Sequence, residues 1–264
     1  MEPAYPGALG HYINLGECYD RKKLRPLAGE LVELVKKYQG CYQRAYQCFR
    51  AAVEVRRNGE KELVTPSTLL KIEKRAHGIL SREVKRKKGK QGKVTQRFLG
   101  GITCQGIFCL YETVQNQCKR IYELQDNGGL AHYLLVNLKE GIVSAGYDVI
   151  AYPSPEDPTR LEHLMIPELS LAFVTTRPHK TLEKRPFRRI RLESMVERDL
   201  LKSNKPKLRF ANRIANELIE DGIHELEKAK AWHDDLEELY HPYVDFAAVN
   251  KISKKLIEEI AQLP

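Results

Sequence analysis

Apolar residues recur at three- and four-residue steps through Leu27, Leu31, Leu34, Val35 and Tyr38, a spacing that predicts one or two helices over Leu24–Val55. Gly59-Glu60 breaks the pattern. Pro66-Ser67-Thr68 reads as the start of a further helix, with Leu69, Ile72, Ala76 and Ile79-Leu80 on one face. From Arg82 the chain holds Gly89, Gly92 and little that is apolar, which predicts a flexible linker. The character then changes. Val94–Leu99, Gly106–Tyr111, Arg120–Gln125 and Tyr147–Tyr152 are short strand candidates, and Leu130–Ala145 fits a helix. Leu169–Thr175 is nearly continuous in apolar residues, as buried parallel strands tend to be. Strand, helix, strand and a further strand predict a parallel α/β core. From Leu201 a helical stripe resumes through Leu208, Ala211, Ile214, Leu218, Leu226, Ala229 and Leu236. Pro242 interrupts it, and Phe246, Val249, Ile252, Leu256 and Ile260 form a second apolar face, completing an αα-hairpin.

The two helical regions read as copies. A shift of 177 residues sets Ile13 and Leu15 on Ile190 and Leu192, Leu24 on Leu201, Leu31 on Leu208, Ala52 on Ala229 and Ile79 on Leu256. The break at Pro66 falls beside that at Pro242, and Met1 matches Pro178. An internal repeat of this kind makes the chain one and a half repeats, lacking the first α/β core. The expected layout is a helical tail of a first repeat over 1–81, a basic linker over 82–97, an α/β core over 94–179 and a helical hairpin tail over 180–264.

The core contains the frame of a phosphate-binding loop: strand Arg120–Gln125, turn Asp126-Asn127-Gly128-Gly129, and a helix from Leu130. Backbone N–H groups and a helix dipole converge on an anion in such a frame. A lysine then meets the β- and γ-phosphates, and a Ser or Thr hydroxyl reaches magnesium. Here no lysine follows the glycines, and Leu130-Ala131-His132-Tyr133 stands where those side chains belong.

The chain resembles a bacterial family of predicted tandem P-loop ATPases, in which each half is a nucleotide-binding core followed by a helical tail. Arg97-Phe98-Leu99-Gly100-Gly101-Ile102-Thr103 with Gly106, Arg120-Ile121-Tyr122, Gly146-Tyr147-Asp148-Val149, Met165-Ile166-Pro167-Glu168-Leu169 and Pro178-His179 carry the resemblance. So do Pro6-Gly7-Ala8, Tyr12–Glu17 and Ala229–Tyr240 in the tails. It implies a P-loop NTPase-like α/β core flanked by α-helical hairpin regions, with ATP and magnesium as the ligands of intact relatives. Aligned on the family's GxxGxGKS/T-like loop, the first glycine falls on Gln125 and the last on Leu130. The lysine falls on Ala131, and the Ser and Thr on His132 and Tyr133. The carboxylate after the strand falls on Thr175. Asp126–Tyr133 is thus a degenerate nucleotide-binding loop. The expectation is a non-catalytic structural or regulatory half that needs no cofactor and has an intact core on a separate chain as its partner. Leu130 is expected to crowd the place where a glycine lets phosphate approach backbone.

Charge adds an alternative. The net charge is +9, but Arg82–Arg97 holds eight Lys or Arg against Glu83 and Arg177–Arg191 seven against Glu183. Those segments contribute +7 and +6, leaving the remainder at −4. Lys85, Arg86, Lys87, Lys88, Lys90, Arg188 and Arg189 are candidate contacts for nucleic acid or another polyanion, or else solvated surface. His233 and His241 among Asp234, Asp235 and Glu237 allow a metal site, though a solvated acidic helix is the simpler reading, and no metal is assigned. His132 reads as a surface or capping residue and Trp232 as a core anchor. Six cysteines without a CxxC pair read as free thiols in a reducing compartment. No apolar run spans a membrane and no signal peptide opens the chain, so a cytoplasmic protein with no membrane partner is expected.

Overall fold

Alternation of apolar side chains builds the core of the computed structural model, which describes residues 12–177, 182 and 184–262. Pro6–Ala8 and Pro178-His179, cited for the resemblance, lie outside those residues. The chain divides into two compact units, Met1–Gln43 with Glu227–Pro264, and Arg44–Leu226.

The larger unit holds a six-stranded, mostly parallel sheet flanked by helices. Its strands are β1 (Val94–Gln96), β4 (Arg120–Gln125), β5 (Val149–Pro153), β6 (Leu161–Ile166), β7 (Leu171–Thr176) and β8 (Arg188–Arg191), in the order β1-β5-β6-β7-β4-β8. β1 pairs parallel with β5, and β4 parallel with both β7 and β8. β6 runs antiparallel between β5 and β7, so the expected parallel core is interrupted by one reversed strand. β2 (Gly100–Thr103) and β3 (Gly106–Cys109) form a separate antiparallel hairpin, followed by the short helix α4 (Tyr111–Gln117).

Successive residues of the central strands enter opposite layers, as the two-residue strand period requires. Leu171 and Phe173 join Tyr122, Leu124, Leu134 and Leu138 on one side, whereas Ala172 and Val174 join Val114, Ile121 and Met165 on the other. Helix α5 (Ala131–Ser144) covers the first side, and α3 (Pro66–Glu83) lies over α5. Thr65 caps α3 at Thr68 N, and Ile72, Ala76 and Ile79 supply its buried stripe. A Cβ at Gly141 would stand 2.3 Å from Leu80 Cδ1, so the missing side chain admits Leu80 to α5.

The basic run Arg82–Arg97 follows a bonded path rather than the flexible one expected. Lys87 N donates to Ala145 O (2.9 Å), Gly92 N to Val143 O (2.9 Å) and Lys93 N to Asp148 Oδ1 (2.7 Å). Gly92 is not a breaker: a Cβ there would lie 1.9 Å from the Tyr147 carbonyl oxygen.

The helices fall in two similar series. A 3-10 turn Leu15–Cys18, short α1 (Arg21–Leu24), long α2 (Ala28–Glu60), a 3-10 turn Lys61–Leu63 and α3 form the first. A 3-10 turn Leu192–Met195, α6 (Arg198–Tyr240), a 3-10 turn His241–Tyr243 and α7 (Phe246–Ala261) form the second. In the smaller unit, Trp232 is half-buried rather than a core anchor, with Lys37 Nζ 4.3 Å from its ring centroid. No helix among the described residues is long and apolar enough to cross a membrane.

Candidate functional site

The turn after β4 lies at the carboxyl ends of the parallel strands β4 and β7, where open α/β sheets place their ligands. Its backbone N–H groups do converge on an anion, but the anion is the protein's own. Asp126 Oδ1 accepts from Gly128 N (3.0 Å) and Leu130 N (3.1 Å), and Asp126 Oδ2 accepts from Ala131 N (2.7 Å). Asp126 is 5% exposed. A carboxylate held by three donors at a helix start is a capping arrangement that satisfies the N–H groups a phosphate would otherwise use.

The other residues of the loop face elsewhere. Gly129 takes φ +70, and a Cβ on it would stand 2.0 Å from Glu60 Oε2. The place beside the loop backbone is thus occupied by the ion pair Arg160–Glu60 (2.5 Å). Asn127 Nδ2 donates to Glu193 Oε1 (2.9 Å). Leu130 is fully buried in the core beside Leu63, so it does not crowd the anion seat as expected; Asp126 fills that seat instead. Tyr133 packs against the same core, and Ala131 is buried in it.

His132 is half-buried rather than on the open surface. Its Nδ1 accepts from Leu161 N (3.0 Å), which requires an unprotonated Nδ1, and burial followed by the charge of Arg160 holds its pKa below the ordinary value of 6.5. Below pH 6.5 the unfolded chain takes up this proton and the folded chain does not, so stability falls as pH drops. Chemical denaturation between pH 7 and 5 should show this loss. His132→Asn, which keeps an acceptor for Leu161 N, should flatten it; an unchanged slope would contradict the assignment.

Around Asp126 the structure gathers charges that the sequence places far apart. Arg56, Arg57 and Glu60 come from the end of α2, Glu156, Asp157 and Arg160 from the β5–β6 loop, Glu162 from β6, and Arg177 from just after β7. Arg56 pairs with Glu156, as does Arg177 at 3.3 Å, and Arg57 pairs with Asp157 at 2.6 Å. Burial, reinforced by neighbouring Arg177, lowers the Arg56 pKa to about 10. Burial raises the Glu60 carboxyl, opposed by Arg160 and reinforced by Asp126. Five carboxylates face four guanidiniums here, so the cluster is balanced and not a positive cradle for a polyphosphate. The space among them is about 50 Å³, room for a few waters and not for a nucleotide. A wider cleft of about 510 Å³ adjoins it towards Asn212, Asn216 and Glu220 of α6; Arg56 and Arg177 line it against Glu60, Asp126, Glu156 and Glu220.

Thr175, at the position of the strand-end carboxylate, is buried. Its N donates to His163 Nδ1 (3.1 Å) and its Oγ1 to Glu162 O (2.5 Å). His163 also brings Nε2 to 3.8 Å from Cys109 Sγ, a proximity that sequence spacing does not reveal. Because Nδ1 is an acceptor for Thr175 N, Nε2 carries the proton, and His163 cannot take one from the thiol as a catalytic base would.

Of the polyanion candidates, Lys85, Arg86, Lys88 and Lys90 are exposed, whereas the other three contact neighbouring side chains. Lys87 pairs with Glu168 (2.5 Å) and lies 4.1 Å from the Tyr147 ring centroid. Arg189 pairs with buried Glu123 (2.5 Å), and Arg188 stacks on Phe187. A basic groove does form beside β8, but its other cations are Lys71, Lys74, Arg75 and Arg191. On sequence alone the three α3 residues are indistinguishable from a solvated helix face. His233, Asp234 and Glu237 place ligand atoms within 4.8 Å of one another, all exposed, while Lys230 pairs with Asp234 (2.5 Å). His241 instead stacks on Phe246. Among the described residues no two cysteines are joined by a disulfide.

No family model, curated protein or solved structure matches the chain.

Proposed function

We propose that this chain is a P-loop-like protein whose phosphate seat is filled by its own Asp126, so that it neither binds nor turns over nucleotide and serves as a structural or regulatory half of a larger ATPase-like assembly. The carrying observation is the carboxylate of Asp126 on the N–H groups of Gly128, Leu130 and Ala131. An incoming phosphate would have to displace a covalently attached competitor, into surroundings where four further carboxylates offset the four guanidiniums. No lysine stands at Ala131, and no hydroxyl at His132 to hold magnesium, so the charge compensation that phosphoryl transfer depends on is missing. Incubation with MgATP or MgGTP should give no hydrolysis above background. A rate that disappears in Gly129→Val would overturn the reading, since that change strikes only the loop backbone and the pair beside it.

The basic groove between α3 and β8 supports a second reading, polyanion binding. Lys71, Lys74, Arg75, Arg189 and Arg191 line it without an acidic side chain. Neutralising about four phosphates there would give an affinity that falls with a log–log salt slope of about −3 to −4. Lys71→Glu/Lys74→Glu should abolish the binding; equal binding by that variant would place any polyanion elsewhere.

A further inference from the structure

The two helical series exchange their ends. The 3-10 turns Leu15–Cys18 and Leu192–Met195 stand 177 residues apart, and the helices after them start at Arg21 and Arg198 with the same spacing. The first turn of each is closed by matching bonds, Leu24 N to Asp20 O (3.0 Å) and Leu201 N to Glu197 O (2.9 Å). α3, the end of the first series, packs on Leu192–Met195, the start of the second; α7, the end of the second, packs on Leu15–Cys18, the start of the first.

In the larger unit this exchange serves the α/β core. α3 covers α5, while β8 leads into Leu192–Met195, pairs with β4 and buries Ile190 to 3% exposure. The smaller unit has the same two parts, with nothing in those places among the described residues. No residue of α7 is buried, and Ile257 and Ile260 are 63% and 64% exposed. Tyr12–Asn14, which match Arg189–Arg191, form no strand among the described residues, and Tyr12 is 71% exposed. The faces match in shape as well. Ile72, Ala76, Ile79 and Leu80 of α3 become Val249, Ser253, Leu256 and Ile257 at the same spacing, keeping the order large, small, large, large.

We infer that α7 and Tyr12–Asn14 form one docking surface for a second α/β core of the kind seen over 94–177, carried by another polypeptide. α7 lies over that core's counterpart of α5 as α3 lies over α5, and Ile13 extends its sheet as Ile190 extends this one. A second copy of this chain does not fit, because its α5 already carries α3 and its β4 already carries β8. The inference names the partner for the assembly proposed above, but it rests on spacing and packing and not on Asp126, so either can fail alone.

A test joins a second copy of residues 84–187 ahead of His11 in the full chain, the junction that β8 has, and follows hydrogen exchange. The amides of Val249–Leu256 should exchange at least tenfold more slowly than in the unfused chain, and Leu256→Glu should reverse this. Unchanged exchange in α7 while the added core is itself protected overturns the inference. Photo-crosslinkers at Tyr12 and Ile257 of the unfused chain in its native cell do not depend on the added core folding. Both should reach one other polypeptide, at an edge strand and at the helix after a strand and glycine turn. Crosslinks to a copy of this chain, to two different partners or to none overturn it.

Discussion

Asp126→Ala should destabilise the chain by about 3–5 kcal/mol and make it responsive to phosphate. The substitution strands three buried N–H donors, those of Gly128, Leu130 and Ala131, each costing about 1–3 kcal/mol when unpaired. Water entering from the adjoining cleft of about 510 Å³ keeps the total below the sum. The vacated seat is then an ordinary anion nest at a helix start. Phosphate or sulfate should raise the melting temperature of Asp126→Ala and leave that of the unsubstituted chain where it was. Asp126→Asn keeps Oδ1 for Gly128 and Leu130 but turns an amide towards Ala131 N, so its loss should be intermediate. An Asp126→Ala protein as stable as its parent would mean that the capping bonds contribute little.

Arg160→Ala should cost about 2–4 kcal/mol, because it leaves Glu60, 3% exposed, as a buried carboxylate with Asp126 close by. The range sits below that for a fully buried pair because the Arg160 side chain is 21% exposed. Burial already raises the Glu60 pKa, and loss of Arg160 raises it further. A group whose folded pKa is raised favours the fold in its protonated form, so the penalty should shrink as pH falls towards 4.5 and grow on the alkaline side. Glu60→Gln in the same chain should recover most of the loss. Equal destabilisation at pH 5 and pH 8, with no rescue by Glu60→Gln, would show that Arg160 acts through its packing alone.

Where a local rule decided the structure, the sequence was readable. β4 matches Arg120–Gln125 residue for residue, and the apolar run at Leu169–Thr175 enters the fully buried β7 from Leu171 onward, its first two residues closing a 3-10 turn instead. Pro66 begins α3 under a Thr65 cap, and Pro242 falls in the turn that ends α6. β6 was hidden because Glu162-His163 looks like loop, yet both are buried, His163 by accepting from Thr175 N across the ladder. β8 was hidden because Arg188, Arg189 and Arg191 read as surface charge, and only Ile190 points into the core.

The site divides the same way. That Ala131, His132 and Tyr133 follow the glycine turn, with no lysine among them, can be read directly, but it does not reveal that Asp126 takes up the N–H groups of the loop. Asp126 did carry a local signal: an acid just before a glycine turn and a helix start is a capping residue, and its bonds reach only two to five positions ahead. The ion pairs carried none, because Arg57 meets Asp157, and Glu60 meets Arg160, across 100 residues of chain. Their placement depends on α2 and the β5–β6 loop meeting at the sheet's end, which no periodicity encodes.

Calorimetric titration of the full chain with MgATP, beside Asp126→Ala under the same conditions, tests most directly whether Asp126 keeps phosphate from the loop. The unsubstituted chain should give no measurable heat up to millimolar nucleotide, and the variant a weak phosphate-dependent signal. Micromolar or tighter binding by the unsubstituted chain, lost in Gly129→Val, would contradict this.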